Sequence, residues 1–128
     1  MILDSSAVVA VFLKEPGAED LVTRLGPARG VGIGAPTLVE AGIVLTARMG
    51  EHAQALLSQF LTEFGIVTVP FGEEHWRAAV EAYRRFGKGR HAAALDFGDC
   101  MSYATAKLSR QPLLCTGRDF AGTDLAIA

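Results

Sequence analysis

Four acidic residues stand where an acid has to be accounted for. Asp4 follows the apolar pair Ile2-Leu3 and precedes the apolar run Ala7–Leu13. Glu40 is flanked by Leu38, Val39, Ala41, Ile43 and Val44. Asp99 lies within Phe97-Gly98-Asp99-Cys100-Met101, and Asp119 precedes Phe120 shortly after Leu113-Leu114-Cys115. Carboxylates in such settings are rare unless they are paired or hold a metal. Each also has an ordinary reading: Asp4 as a helix cap, Glu40 as the capping-box partner of Thr37, Asp99 as a first-turn acid on a helix dipole, Asp119 as a turn residue. For any one of them alone the ordinary reading is favoured; four together are harder to dismiss.

If the four converge, their charge needs an answer. Two carboxylates about 4 Å apart repel by roughly 4 kcal/mol at an effective dielectric near 20. Such a cluster keeps either a proton or a cation. Arg118 is the only base beside any of them in sequence. An all-oxygen donor set favours Mg²⁺ or Mn²⁺ over zinc, and His52, His75 and His91 are too scattered to compete. Asp96, three residues before Asp99, is a possible fifth acid, with a helix N-cap role favoured.

A second cluster has the opposite sign. From Arg77 to His91, the basic residues Arg77, Arg84, Arg85, Lys88 and Arg90 face the single acid Glu81, in a chain of net charge −2. Arg84, Arg85, Lys88, Arg90 and His91 are candidates for phosphate contact, with Gly87 and Gly89 letting the backbone come close. The alternative is a solvated helix end whose cations suit the dipole. Trp76 and Tyr83 share a helix face, where core or interface packing is favoured over base stacking.

These side chains need elements to hold them. Ile2-Leu3 reads as a buried strand, and Ser5 and Ser6 as N-caps of a helix over Ala7–Leu13. Helical spacing covers Ala18–Leu25, Pro36–Met49, His52–Phe64, Glu73–Phe86 and Phe97–Leu108. Strands are expected over Gly30–Ile33, Ile66–Val69 and Leu113–Cys115, with a last short one over Asp124–Ile127. The stripe Leu56, Leu57, Phe60, Leu61, Phe64 suits core or dimer contact. Alternating strands and helices predict a mostly parallel sheet with helices on both faces, a three-layer α/β/α sandwich. Sites on such sheets lie beyond the carboxyl ends of the strands, where Asp4 and Asp119 fall.

The bulk properties agree. The 128 residues suit one domain over 1–128, and a hydrophobic fraction of 50% with 20% charged residues excludes a disordered chain. Cys100 and Cys115, the only cysteines, read as reduced thiols of a cytoplasmic protein. The start has no positive n-region, and Ala7–Leu13 is too short to span a bilayer, so no membrane association is expected.

Asp4-Ser5-Ser6-Ala7-Val8 resembles the Asp-x-Ser opening of PIN-domain nucleases, with Ser5 where the family often carries Thr. Gly98-Asp99-Cys100-Met101-Ser102-Tyr103-Ala104 resembles the Gly-Asp-Cys segment of bacterial VapC-type toxins, and Thr116-Gly117-Arg118-Asp119-Phe120 their third motif. Glu40 fits the remaining acid, and the motif order spans the chain. The resemblance implies a PIN-like fold and a Mg²⁺-dependent ribonuclease, with Mn²⁺ as a substitute. It implies Asp4 and Asp99 as metal ligands, and Glu40 and Asp119 completing the catalytic pocket and placing the attacking water. Ser6 and Thr116 would orient carboxylates through their hydroxyls. Cleavage would leave a 5′-phosphate and a 3′-hydroxyl. Implied partners are RNA, on the Arg84–His91 segment, a second copy in a homodimer, and a VapB-like antitoxin. The antitoxin would block the pocket with an arginine and lay a helix on a groove between Val8–Leu13 and Val39–Met49. The competing readings are a housekeeping PIN nuclease without antitoxin and a non-catalytic α/β binding module. A response-regulator receiver would need an aspartate after a central strand and a late-strand lysine, and neither appears in a convincing place.

Overall fold

Ile2 and Leu3 make up the whole first strand, yet they lie at the middle of the sheet. In the computed structural model, which describes residues 1–128, the elements run β1 (Ile2–Leu3), α1 (Ser5–Phe12), α2 (Ala18–Leu25), β2 (Gly32–Gly34), α3 (Ala35–Met49) and α4 (Ala53–Glu63). They continue through β3 (Val67–Val69), α5 (Glu73–Phe86), α6 (Phe97–Ser109) and β4 (Leu113–Leu114), and end in a 3₁₀ turn at Phe120–Gly122. The strand order is β3-β2-β1-β4 and every pairing is parallel. Ile2 pairs with Gly32 and Leu113, and Leu3 with Ile33 and Leu114.

The two-residue period of a strand sends neighbours to opposite faces. Leu3, Ile33 and Leu114 join Val8, Leu25, Leu45 and Phe60 in the core under α1–α4. Ile2 and Leu113 join Phe86, Leu95, Tyr103 and Phe120 in the core under α5 and α6. The result is the three-layer sandwich expected from the alternation of elements. Leu57 and Phe60 of the α4 stripe are buried in the first core and Leu61 and Phe64 pack against it, while Leu56 is exposed.

The differences from expectation are local. The cap of α1 is Asp4, not Ser5 or Ser6: its side chain accepts from the Ser6 N–H at 3.1 Å, because Asp4 keeps extended backbone as the last residue before the helix. Strand β2 starts two residues later and ends one later than Gly30–Ile33 implies, since Gly32–Gly34 is the stretch that pairs with β3. Gly34 is forced by packing: a Cβ there would lie 3.3 Å from Thr105 Cβ and closer still to its hydroxyl, so α6 rests directly on the β2 backbone. The last expected strand shrinks to a single bridge between Ile127 and Leu113. No helix is long and apolar enough to cross a membrane.

Candidate active site

Asp4 is buried at the carboxyl end of β1, its own N–H bonded to Leu114 O at 2.9 Å. Both carboxylate oxygens have donors: Oδ2 takes the Ser6 N–H, and Oδ1 takes the Ser102 hydroxyl at 2.5 Å. Asp4 therefore caps α1 and is held from α6 as well.

Asp99 sits in the first turn of α6, whose N-cap is Asp96. The two acids exchange bonds: Asp99 N–H donates to Asp96 Oδ1 at 2.9 Å, and Asp96 N–H donates to Asp99 Oδ2 at 3.1 Å. Asp99 Oδ1 accepts from no protein donor and is left for a ligand. Burial pushes the Asp99 carboxyl up to about 7; the Asp96 N–H opposes this, while the charges of Asp96 and Asp4 reinforce it. Asp4 and Asp99 are thus close enough for each charge to act on the other.

Asp119 stands exposed at the start of the 3₁₀ turn and caps nothing with its side chain. Its tie to the others passes through Cys115. Burial, and then the charges of Asp4, Asp119 and Asp99, raise that thiol to about 11. Three carboxylates, from the end of β1, the loop after β4 and the start of α6, therefore act on one residue. Glu40 reaches the same turn of α6 from α3. A Cβ on Gly98 would lie 2.9 Å from Glu40 Cδ and on top of its oxygens, so glycine is required beside Asp99 for Glu40 to lie there. Glu40 is not in a capping box: α3 is capped at Gly34, and the Thr37 hydroxyl bonds to Ser102 instead.

No cation of this chain pairs with the acids of this region. The chain's ion pairs use Asp20, Glu51, Glu73, Glu81 and Asp124 and leave Asp4, Glu40, Asp96, Asp99 and Asp119 without a partner. No three ligating side chains form a closed cage. Carboxylate oxygens suit a hard cation such as Mg²⁺ better than zinc, and Mg²⁺ commonly takes one or two carboxylates and keeps several waters. The hard oxygen donors Asp4 and Asp99, with one lone-pair face open, fit such an ion.

Ser6 and Thr116 do not aim hydroxyls at carboxylates; Ser6 Oγ accepts from the Thr116 N–H at 3.1 Å and fastens the loop after β4 to α1. The hydroxyl on Asp4 belongs to Ser102, with Thr37 behind it. Sequence reasoning missed both. The available signal was spacing: Ser102 follows Asp99 by three and Thr37 precedes Glu40 by three, so each shares a helix face with an acid.

The basic segment is stapled beside Asp96, since Leu95 N–H bonds to Phe86 O and Lys88 N–H to Leu95 O. Arg84 is clamped on Glu81 and Arg85 pairs with Asp124, whereas Lys88 and Arg90 have no acid partner. His91 Nδ1 accepts from the Ala93 N–H. Gly87 is buried under Tyr83, with a Cβ there 2.5 Å from ring atom Cδ1, so only Gly89 (φ +83°) remains for close approach to a ligand.

The helices α1 and α3, between which a groove is expected, pack directly on each other, and Val8 is buried there. Instead Val39 and Ile43 of α3, 60% and 65% exposed, line two others. One, of about 920 Å³, lies against Leu57 and Leu61 of α4. The other, of about 290 Å³, holds Glu40, Phe97 and Met101.

The raised Asp99 carboxyl gives a pH dependence. In metal-free protein the folded state titrates near 7 and the unfolded chain near 4, so folding takes up a proton in between. That contribution is complete below about pH 4 and is lost as pH rises through about 7. Wild-type melting temperature in EDTA is expected to fall relative to Asp99→Asn across this window. Parallel melting curves at all pH values would contradict the assignment.

Residues 1–125 match the PIN domain family. The chain is 48% identical over 126 residues to ribonuclease VapC36 of Mycobacterium tuberculosis, covering 98% of this chain and 91% of that one. Among solved structures it resembles VapC20 of Mycobacterium tuberculosis, a toxin that cleaves the sarcin-ricin loop, at TM-score 0.77 and 16% identity, covering 99% and 97% of the two chains. It also resembles a chain of a toxin–antitoxin complex from Klebsiella pneumoniae, at TM-score 0.72 and 16% identity, covering 99% and 95%.

Proposed function

Because the chain belongs to the PIN-domain family, among the VapC ribonucleases, we propose that it is an RNA-cleaving toxin that works with Mg²⁺, or Mn²⁺ in its place, and is silenced by a VapB-like antitoxin. The observation that carries this reading is the gathering of Asp4, Glu40, Asp99 and Asp119 with no cation among them.

Asp4 and Asp99 would hold the ion. When bound, it neutralises charge on the scissile phosphate and makes a coordinated water more acidic. The remaining work falls to the chain. The Ser6 N–H and Ser102 hydroxyl fix the plane of the Asp4 carboxylate, and the Asp96 N–H fixes one oxygen of Asp99. Glu40, against the Gly98 backbone, and the exposed Asp119 orient the attacking water and accept its proton. The products are a 5′-phosphate and a 3′-hydroxyl.

The Arg84–His91 segment binds RNA phosphates beside that pocket, and Lys88 and Arg90 contribute most because nothing neutralises them. Replacing both by Ala is expected to flatten the dependence of log affinity on log salt by about one unit per lost contact. The single-turnover rate at saturating RNA should change far less. A collapsed saturated rate with unchanged affinity would contradict this role.

The antitoxin lays an amphipathic helix over Val39, Ile43 and Phe97 and reaches the Glu40 end of that groove with an arginine. The α5 stripe Trp76, Val80 and Tyr83, each 46% exposed or more, supports a homodimer, because those side chains are not core. Both reduced thiols suit a single-domain protein of the cytoplasm. Mapping cleavage sites on total RNA, with Mg²⁺, with Mn²⁺ and with EDTA, tests the reading. Cleavage that persists in EDTA would reject the ion, and no cleavage with either ion would reject the nuclease. A nuclease that is harmless on expression and captures no small partner would be a housekeeping enzyme.

A further inference from the structure

Three hydroxyl or carboxylate side chains meet out of reach of solvent: Thr37 (1% exposed), Ser102 (0%) and Asp4 (3%). They come from the first turn of α3, the middle of α6 and the end of β1, and they form one line. Ser102 Oγ donates to Asp4 Oδ1 at 2.5 Å, and Thr37 Oγ1 lies 3.2 Å from Ser102 Oγ. Building on the reading of Asp4 as a cation-holding carboxylate, we propose that Ser102, with Thr37 behind it, is the positioning pair that aims Asp4.

The direction of the line follows from proton counting. A serine hydroxyl has one proton, and here it goes to the carboxylate, which only accepts. Thr37 must then be the donor to Ser102. Its place on the helix leaves it available for this. Thr23, Thr46, Thr62 and Thr105 all turn their hydroxyls onto the carbonyl four residues back in their own helices. Four residues before Thr37 is Ile33, which belongs to β2, so Thr37 has no such carbonyl within α3.

The chemistry suits the task. Two neutral donors hold the carboxylate plane without adding a positive charge that would compete with a cation. Each Asp4 oxygen has one protein donor, so each keeps a lone pair for the site. Ser102 shares a face of α6 with Asp99, and Thr37 shares a face of α3 with Glu40. The pair therefore fixes the register of three acids carried on three elements. Neither hydroxyl is exposed to touch RNA, so their action passes through Asp4.

The test uses the full chain and reads Mn²⁺ affinity by titration calorimetry without RNA. The variants are Ser102→Ala, the isosteric Thr37→Val, and Thr37→Ser, with Asp4→Asn as control. Melting in EDTA and RNA affinity in EDTA are read in parallel. Ser102→Ala is expected to weaken Mn²⁺ binding roughly tenfold or more, in the range of a lost partner to a metal ligand. Thr37→Val should weaken it less, and Thr37→Ser should restore the wild-type value. RNA affinity in EDTA should not move. A lower melting temperature with Mn²⁺ affinity intact in both Ser102→Ala and Thr37→Val would overturn the proposal, since packing alone would then explain the line. If Ser102→Ala fails to fold, the contrast between Thr37→Val and Thr37→Ser decides. If Asp4→Asn abolishes Mn²⁺ binding while the hydroxyl variants keep it, only the positioning pair falls. If Asp4→Asn itself binds Mn²⁺ normally, the cation reading of Asp4 falls and takes the pair with it.

Discussion

Asp99→Asn is expected to lower single-turnover RNA cleavage by on the order of 10³-fold, as when a group that stabilises transition-state charge is removed. The substitution is close to isosteric. Asn keeps an oxygen for the Asp96 N–H, so the capping of α6 survives and the fold with it. What changes is the other oxygen, Oδ1, which has no protein donor. In the variant that position carries an N–H, which cannot ligate a cation. RNA affinity in EDTA should hold or tighten, because one negative charge leaves a surface that must meet a polyanion. The shift in melting temperature caused by Mn²⁺ should shrink, and should vanish in Asp4→Asn/Asp99→Asn, since a ligand of the folded state stabilises by mass action. Cleavage within tenfold of wild type would remove Asp99 from the site.

The second large effect concerns the antitoxin. Val39→Asp combined with Ile43→Asp is expected to weaken the complex by roughly 2 kcal/mol or more, about 30-fold in Kd, the scale of an interface hot spot. Both side chains lie mainly in solvent on the isolated chain, so folding should be little affected. In a complex they would face an apolar helix, and a carboxylate there would be buried without a partner. Cells expressing both proteins should lose protection. The purified variant alone should still cleave RNA, because Asp4, Glu40, Asp99 and Asp119 are all kept, with RNA affinity lowered by the two carboxylates added to the groove that holds Glu40. Retained protection with undiminished co-purification would put the antitoxin on another surface.

Much of the sandwich was legible because its signals are local. The β-branched run Ile66–Val69, the breaks at Gly26-Pro27 and Gly50, and the apolar stripes of α4 and α5 specify their elements within a few residues of chain. Strand ends were less legible. Strands of two or three residues are bounded by which neighbour they pair with, as β2 is by β3, and not by composition. The acids were legible for a related reason. A carboxylate flanked by apolar residues at a strand end or helix start is conspicuous whatever lies across from it.

The sequence by itself determined the alternation of strands and helices and the charge excess of the Arg84–His91 segment, and it singled out Asp4, Glu40, Asp99 and Asp119 as the candidate acids. Only the tertiary structure decided which hydroxyl serves which acid. The Ser102–Asp4 bond spans 98 residues and the Thr37–Ser102 contact 65, distances over which sequence spacing carries no geometry. It also decided that Gly98 exists to admit Glu40, that Arg84 and Arg85 are paired while Lys88 and Arg90 are not, and that α3 turns Val39 and Ile43 outward. The physical reason is common to all of these. Propensity and capping act over one turn of chain, whereas a buried polar group takes whatever partner the packed layers bring to it, and that partner is set by the crossing of helices over the sheet.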